Sequence, residues 1–450
     1  MKKHRVGSEG ALRACVLILN LGWTPSPGLA TIPETGMALA HQAAAHAQQG
    51  DYVRASEIYR KELERLEAFH GPEHPYVAAI LSSLGNAESG LGNYHVAEER
   101  FARAVMILQK NGDPDSQEYA TALNNLGAAS FRLARYAEAE SWYQRALEIT
   151  EKTAGPESPQ VVTMLNNLAV LNTMLGRTGE AQSLYKKSLA ILEKKSGPED
   201  LELARVLQNL AGTYSRRNAF VKAEQLYRRS LGIAEARLGP EHPELSGVLR
   251  NLGRVYHDLG YLEKAEPLYL RALAIVEKKL GPAHPELAFT LNELALLQFQ
   301  QHMNGKAEAQ LRRTLTISEN GLGPQHPHTL RVLNNLAEIY RLQWKHEKAA
   351  PLYRRLLESL DKAPAPANAD LVPALRSAVA VYQAVGNYVE AEQAYERLLA
   401  IEEVELGPQS PQYAARLEEY ASLLHKMKRK DQAAEIRRRS AAILSSHVEK

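Results

Sequence analysis

One short passage returns nine times in this chain, at intervals of 42 residues. Leu84, Leu126, Leu168, Leu210, Leu252, Leu294 and Leu336 are each 42 apart, and Ala378 and Tyr420 continue the register. An alanine follows each of them by 13 positions, from Ala97 and Ala139 through Ala181, Ala223, Ala265, Ala307, Ala349 and Ala391 to Ala433; Ala55 fits one period earlier. A fixed period of this size is the signature of a solenoid. In such chains each unit buries its apolar face on its neighbours, so one continuous core serves a length that would otherwise suggest about three domains.

The unit from Pro243 to Leu280 shows what is repeated. Leu245, Val248, Leu249, Leu252, Val255 and Tyr256 recur at three- and four-residue steps, which makes one face of a helix. Gly260 stops it, as a glycine just past a helix end does. A second helical pattern runs through Ala265, Leu268, Tyr269, Ala272, Leu273 and Val276 to the stop at Leu280-Gly281-Pro282. No strand pattern occurs anywhere. The recurring alanine marks a helix crossing that a larger side chain would wedge open. The aromatic four residues later (Tyr59, Phe101, Tyr143, Tyr185, Tyr227, Tyr269, Tyr353, Tyr395) reads as core. The predicted fold is all-α, a right-handed α-solenoid superhelix of about ten helix–turn–helix units. They lie near 36–70, 75–112, 117–154, 159–196, 201–238, 243–280, 285–322, 327–364, 369–406 and 411–446, within an array covering 31–446.

The linker contains histidines: Gly71-Pro72-Glu73-His74-Pro75 returns around His242, His284 and His326. A metal ladder is the tempting reading. The same position in the other units holds Ser116, Ser158, Asp200, Asn368 and Ser410. Serine, aspartate and asparagine are the preferred helix N-caps, and the proline that usually follows suits a first helical turn. Units stack about 10 Å apart, one helix diameter, whereas zinc holds its nitrogens at about 2 Å. The histidines are therefore expected to cap helices, and no metal or cofactor is expected.

Residues 1–30 read as an export signal. Lys2, Lys3 and Arg5 open it, an apolar run extends from Ala14 to Trp23, and Gly28-Leu29-Ala30 offers small residues for cleavage. The run is too short for a mature membrane helix, and Arg13 and Asn20 interrupt its character. The expected location is periplasmic or secreted; the alternatives are an uncleaved anchor, the only route to a membrane partner, and a cytoplasmic chain. Cys15 is the sole cysteine and lies inside this segment, so a mature chain has no disulfide or thiol chemistry. The net charge of +2 comes from the N-terminal cations, which leaves a near-neutral body with no global attraction for nucleic acid.

The pattern Leu252-Gly253, Tyr256, Ala265, Tyr269 and Ala272 resembles the tetratricopeptide repeat, with each unit eight residues longer than the usual 34. The longer form is similar to the kinesin light chain class. Its first-helix motif stands at Leu123 to Leu126, Leu165 to Ala169 and Leu333 to Ala337, and its second-helix motif at Ala265 to Leu273. The resemblance covers about 36–446 and is specific for fold rather than for function. Export would exclude a role as a motor light chain. The alanine-rich first unit and the last, with Arg437, Arg438 and Arg439, read as polar terminal caps. Lys426, Lys428, Arg429 and Lys430 read as a solvated turn rather than a nucleic-acid patch, and Ala363-Pro364-Ala365-Pro366-Ala367 as a looser joint.

The resemblance implies that first helices line a concave groove and that the residue before the repeat leucine faces it. Here that position holds Asn125, Asn167, Asn209, Asn251 and Asn335. An asparagine carries donor and acceptor on one planar group and in the family commonly clasps a ligand backbone; alternatively it bonds a neighbouring helix and orders the stack. Arg205, Arg254 and Arg331 occupy adjacent groove positions, with Arg216 and Arg341 one turn on. Arginine recognises carboxylates through paired hydrogen bonds. An extended, acidic peptide segment of a protein partner is therefore expected, and neither nucleic acid nor a small-molecule substrate. The alternative for the arginines is pairing with Glu293 and Glu338. No phosphate-binding glycine loop, His-Glu-x-x-His or nucleophile elbow is present, so no enzyme is expected. The function expected is a peptide-binding interaction scaffold, with a self-assembling or membrane-complex structural component as the second reading.

Overall fold

A computed structural model describes residues 34–48, 50–111, 113–195, 197, 200–361 and 368–448. The export-signal segment and the Ala363–Ala367 joint lie outside these residues. The described residues are helical, with no strand among them. No helix among them is long and apolar enough to cross a membrane.

The chain divides between Val255 and Tyr256 into two compact units. The N-terminal unit contains α1 (Glu34–Gln48), α2 (Tyr52–His70), α3 (Pro75–Gly90), α4 (Tyr94–Asn111), α5 (Gln117–Arg132), α6 (Tyr136–Ala154), α7 (Pro159–Met174), α8 (Thr178–Lys195), α9 (Leu201–Arg216) and α10 (Phe220–Leu238). The division falls inside α11 (Leu245–Asp258). The C-terminal unit continues with α12 (Leu262–Leu280), α13 (Glu286–Gln300), α14 (Asn304–Gly321), α15 (Pro327–Leu342), α16 (His346–Asp361), α17 (Asn368–Ala384), α18 (Tyr388–Leu406), α19 (Pro411–Lys426) and α20 (Lys430–Val448). In each unit every helix packs on the next, and first helices of successive hairpins also touch, as α5 does α7 and α13 does α15.

The repeat positions explain the packing. The recurring alanines, Ala55 to Ala433, are all essentially solvent-free, and so is the aromatic four residues on wherever it is present. These rings lie against the opposite helix with no room to spare. A Cβ added to Gly127 in α5 would stand 2.9 Å from the Tyr143 ring of α6, inside van der Waals contact.

The hairpin turns share one geometry. The chain leaves each first helix through a residue with positive φ, and the next N–H returns to a carbonyl five residues back, as Asn93 to Glu88 at 2.9 Å and Lys345 to Tyr340 at 2.9 Å. This is the Schellman closure, which satisfies carbonyls the helix end would orphan. Glycine holds the positive-φ position in five hairpins (Gly50, Gly92, Gly176, Gly260, Gly386), while Ala134, Asn218, His302, Trp344 and Lys428 hold it in the others.

Histidine caps are present as expected. Nδ1 of His74, His242, His284 and His326 accepts the N–H two residues on, at 3.2, 3.3, 3.2 and 3.1 Å. Ser116, Asp200 and Ser410 do the same work with oxygen.

Ion pairs join neighbouring hairpins along the outside of both units. An arginine in five of the second helices reaches a glutamate 36 residues earlier: Arg103–Glu67, Arg229–Glu193, Arg313–Glu277, Arg355–Glu319 and Arg439–Glu403. A second series starts at the hairpin turn, as in Arg135–Glu98, Arg177–Glu140 and Arg429–Glu392. Such exposed pairs contribute about 0–1 kcal/mol each. Their regular recurrence fixes the lateral register of one hairpin on the next.

Candidate functional site

Because first helices are flanked by helices on both sides, few of their residues reach solvent. In the N-terminal unit the accessible positions of α5 and α9 include Thr121, Asn125, Arg205 and Arg216, all half-buried. Asn167, Asn209 and Asn251 are buried, at 1%, 4% and 3% exposure. Arg254 is half-buried. These residues share a unit; Asn335 and Arg331, both half-buried on α15, belong to the C-terminal one.

The asparagines form a connection that simple column reading misses. Asn167 Nδ2 donates to Asn124 Oδ1 at 2.9 Å, and Asn335 Nδ2 donates to Asn292 Oδ1 at 2.8 Å. Each bond spans 43 residues, one repeat plus one. An asparagine before the repeat leucine thus ties itself to the polar residue two before the leucine of the preceding unit. Asn124 and Asn292 were not singled out in the sequence. A comparison of positions one residue out of register, rather than down a single column, would have found them. The bond fixes the amide plane of Asn167, and its Oδ1 has no protein partner. A buried carbonyl oxygen without a donor is costly to leave so.

Arg205 Nη2 lies 3.3 Å from Glu244 Oε2, with both side chains substantially exposed. A pair at this exposure is weak and screened by salt. Arg341 is held more firmly. Its Nε donates to Glu338 Oε2 at 2.9 Å, and the Tyr353 hydroxyl donates to the same oxygen at 2.8 Å. Burial would raise the Glu338 carboxyl, but the hydrogen bonds from Arg341 and Tyr353 hold it below the usual carboxylate range. Arg341 therefore adopts the glutamate-pairing role set out as the alternative for these arginines. Burial, and secondarily the charge of Arg331, hold His326 below the ordinary histidine range.

Among the described residues no group of three His, Cys, Asp or Glu side chains stands close enough to hold a metal ion. The capping histidines face backbone amides of their own helices, which spends the Nδ1 lone pair a metal would need.

Comparison with known proteins agrees with this architecture. The tetratricopeptide repeat signature matches residues 34–110, 118–194, 180–236, 203–278, 244–320, 299–362 and 371–446. The chain belongs to the tetratricopeptide repeat family. Among solved structures it is similar to BtubC (BKLC) from P. vanneervenii, at 26% identity over 54% of this chain and 93% of that one, TM-score 0.43. It is also similar to a putative kinesin light chain with nearly identical repeats from Podospora anserina, at 23% identity over 46% of this chain and 98% of that one, TM-score 0.40. The apo quorum sensor NprR from B. thuringiensis shares the fold at 15% identity, over 74% of this chain and 90% of that one, TM-score 0.55. No curated protein sequence matches significantly.

Proposed function

We propose that the chain is a protein-interaction scaffold and that the first-helix face of its N-terminal unit binds an extended segment of a partner protein. The observation that carries this reading is the state of the Asn167 amide. Its nitrogen is tied to Asn124 and its oxygen lacks a donor. That oxygen is buried, so a ligand N–H reaches it only when the side chains that cover it move aside. Asn125, half-exposed on the helix before, offers a complete amide to the same segment. Asn209 and Asn251 continue the line, and Asn335 occupies the equivalent position in the C-terminal unit.

Arg205 and Arg254 give the segment its chemistry. Arg205 shares its charge with an exposed glutamate at 3.3 Å, a pair that a ligand carboxylate displaces at little cost. The ligand is accordingly an acidic peptide. Arg331, half-buried, stands on the same helix as Asn335 in the C-terminal unit. Secretion by the N-terminal segment, cleaved after residue 30, would place the scaffold outside the cytoplasm.

The test is retention of a partner from native extract. Wild-type chain is compared with Asn125→Ala/Asn167→Ala and with Arg205→Glu/Arg254→Glu, after circular dichroism verifies folding. Loss in both variants supports the acidic-peptide reading. Loss in the asparagine variant alone retains the groove and discards the acidic ligand. Equal retention in all three moves binding off this face and favours a structural, self-assembling role.

A further inference from the structure

Phe69, in the last turn of α2, has 79% of its surface exposed. A single exposed ring needs no explanation; its place in the repeat calls for one. In each of the next three hairpins the end of the second helix grips the linker that leads into that same hairpin. Lys110 reaches Glu73, Lys152 reaches Asp115 and Lys194 reaches Glu157, each 37 residues back. Asn111 Nδ2 also donates to the Glu73 carbonyl at 2.9 Å, 38 residues back. Taken from α2, both offsets lead to one residue, since Thr31 lies 37 before Ala68 and 38 before Phe69.

The segment before α1 thus stands in the register of a linker. Pro33 is in line with Pro75 and Pro159, which open α3 and α7. Leu29 falls in the column of Gly71 and Gly155, and Ile32 in that of the capping residues His74 and Ser116. Both sides of the contact change character together. The three lysines meet acidic linker residues, whereas Ala68 and Phe69 are matched by Leu29, Ile32 and Pro33. An ionic grip is exchanged for an apolar one. The ring of Phe69 is also held in place from behind: it meets His70 edge-to-face at 4.7 Å, and His70 stacks at 4.6 Å on His74, the N-cap of α3.

We propose that residues 29–33, which lie outside the described residues, dock on Ala68 and Phe69 as an apolar strap that closes the first hairpin. Helices α1 and α2 pack as a hairpin, so the start of α1 and the end of α2 share one edge. A segment tethered beside its site has a high effective concentration there, and burial of the Phe69 ring against Ile32 and Pro33 drives the contact. Cleavage after Ala30, as proposed above, leaves Thr31, Ile32 and Pro33, so the strap survives export. It is separate from the peptide groove, and neither depends on the other.

The test uses full-length chain in which Cys15→Ser removes the native thiol and Ala68→Cys supplies one beneath the strap. Its rate of reaction with a neutral maleimide is compared with that of the same chain carrying Leu29→Gln/Ile32→Gln. The strap variant should react about tenfold faster, the ratio that burial of one such apolar side chain sets. The control, Ala137→Cys, exposed at the start of α6, should react equally in both. Equal rates at position 68 would overturn the proposal. Protection that persists in the strap variant and disappears on dilution would assign the patch to a second copy of the chain, and overturn it too. A second measurement reads the contact itself. Ile32→Gln should lower the melting temperature by about 2–4 °C with Phe69 in place, and by no more than about half as much alongside Phe69→Ser. Fully additive losses would place the two residues apart and refute the strap.

Discussion

The capping histidines make a pH dependence that can be worked out in advance. His74 and His326 each accept a backbone N–H through Nδ1, at 3.2 and 3.1 Å. Only the neutral imidazole has that lone pair. Protonation removes the cap, worth about 1 kcal/mol, and sets a positive charge at the positive end of the helix dipole, which costs about 0.3–1 kcal/mol more. Burial and a neighbouring cation hold both groups below the ordinary histidine range; for His74 the neighbour is His70, stacked at 4.6 Å. The folded state therefore binds fewer protons than the unfolded one, whose histidines titrate near 6.5. Stability is complete above about pH 6.5 and falls as pH drops through the folded pKa values.

The control is built into the sequence, because Ser116 and Ser410 cap the same position with oxygen. His74→Ser/His326→Ser should keep the caps and remove the titration. Between pH 7.5 and 5.0, urea unfolding of the wild type should lose about 2 kcal/mol more than the double variant. Carboxylates and His328 are common to both proteins and cancel. Amide exchange at Tyr76 and His328 localises the effect, since a long array need not unfold in one step. Equal pH slopes in the two proteins would refute the capping argument, as would imidazole titrations of His74 and His326 at or above 6.5.

Two further outcomes follow from the packing. Gly127→Val should destabilise the N-terminal unit by about 2 kcal/mol or more, because even a Cβ would meet the Tyr143 ring at 2.9 Å; a melting temperature within 1 °C of wild type would mean the ring is free to move. Arg313→Glu replaces an ion pair with Glu277 at 2.5 Å by like charges. It should cost about 1 kcal/mol in low salt and about half that or less in 1 M sodium chloride, where the Debye length is about 3 Å; a loss independent of salt would point to packing by the arginine stem instead.

Much of the fold was legible because the period forces each position to repeat its environment. One buried alanine at a crossing predicts nine others, and Ala55 through Ala433 are all buried. The histidines became readable as caps only when set beside Ser116, Asp200 and Ser410, whose oxygen chemistry is less ambiguous than imidazole. The interactions between units were not legible in this way. A bond from Asn167 to Asn124, or from Arg229 to Glu193, joins different columns of adjacent repeats, at offsets of 43 and 36 rather than 42. Superposing repeats hides such offsets, because it lines up like with like.

The same reasoning separates what holds the array together from what it presents. A position that every repeat fills alike serves the stack, since each hairpin meets the same neighbour. A position whose side chain bonds the next hairpin through one end only can serve the stack and something else at once. By that criterion the asparagines have a double character. Asn167 and Asn335 order the stack through one end of the amide, and on the reading proposed above the other end is left for a ligand. Trp344 has no stacking partner that would explain it. Glycine holds its position in five hairpins and a non-glycine residue in the other five, Trp344 among them, and 83% of its surface is exposed. A gain of stability on replacing it with glycine is the one result that a purely structural role for the residue cannot produce.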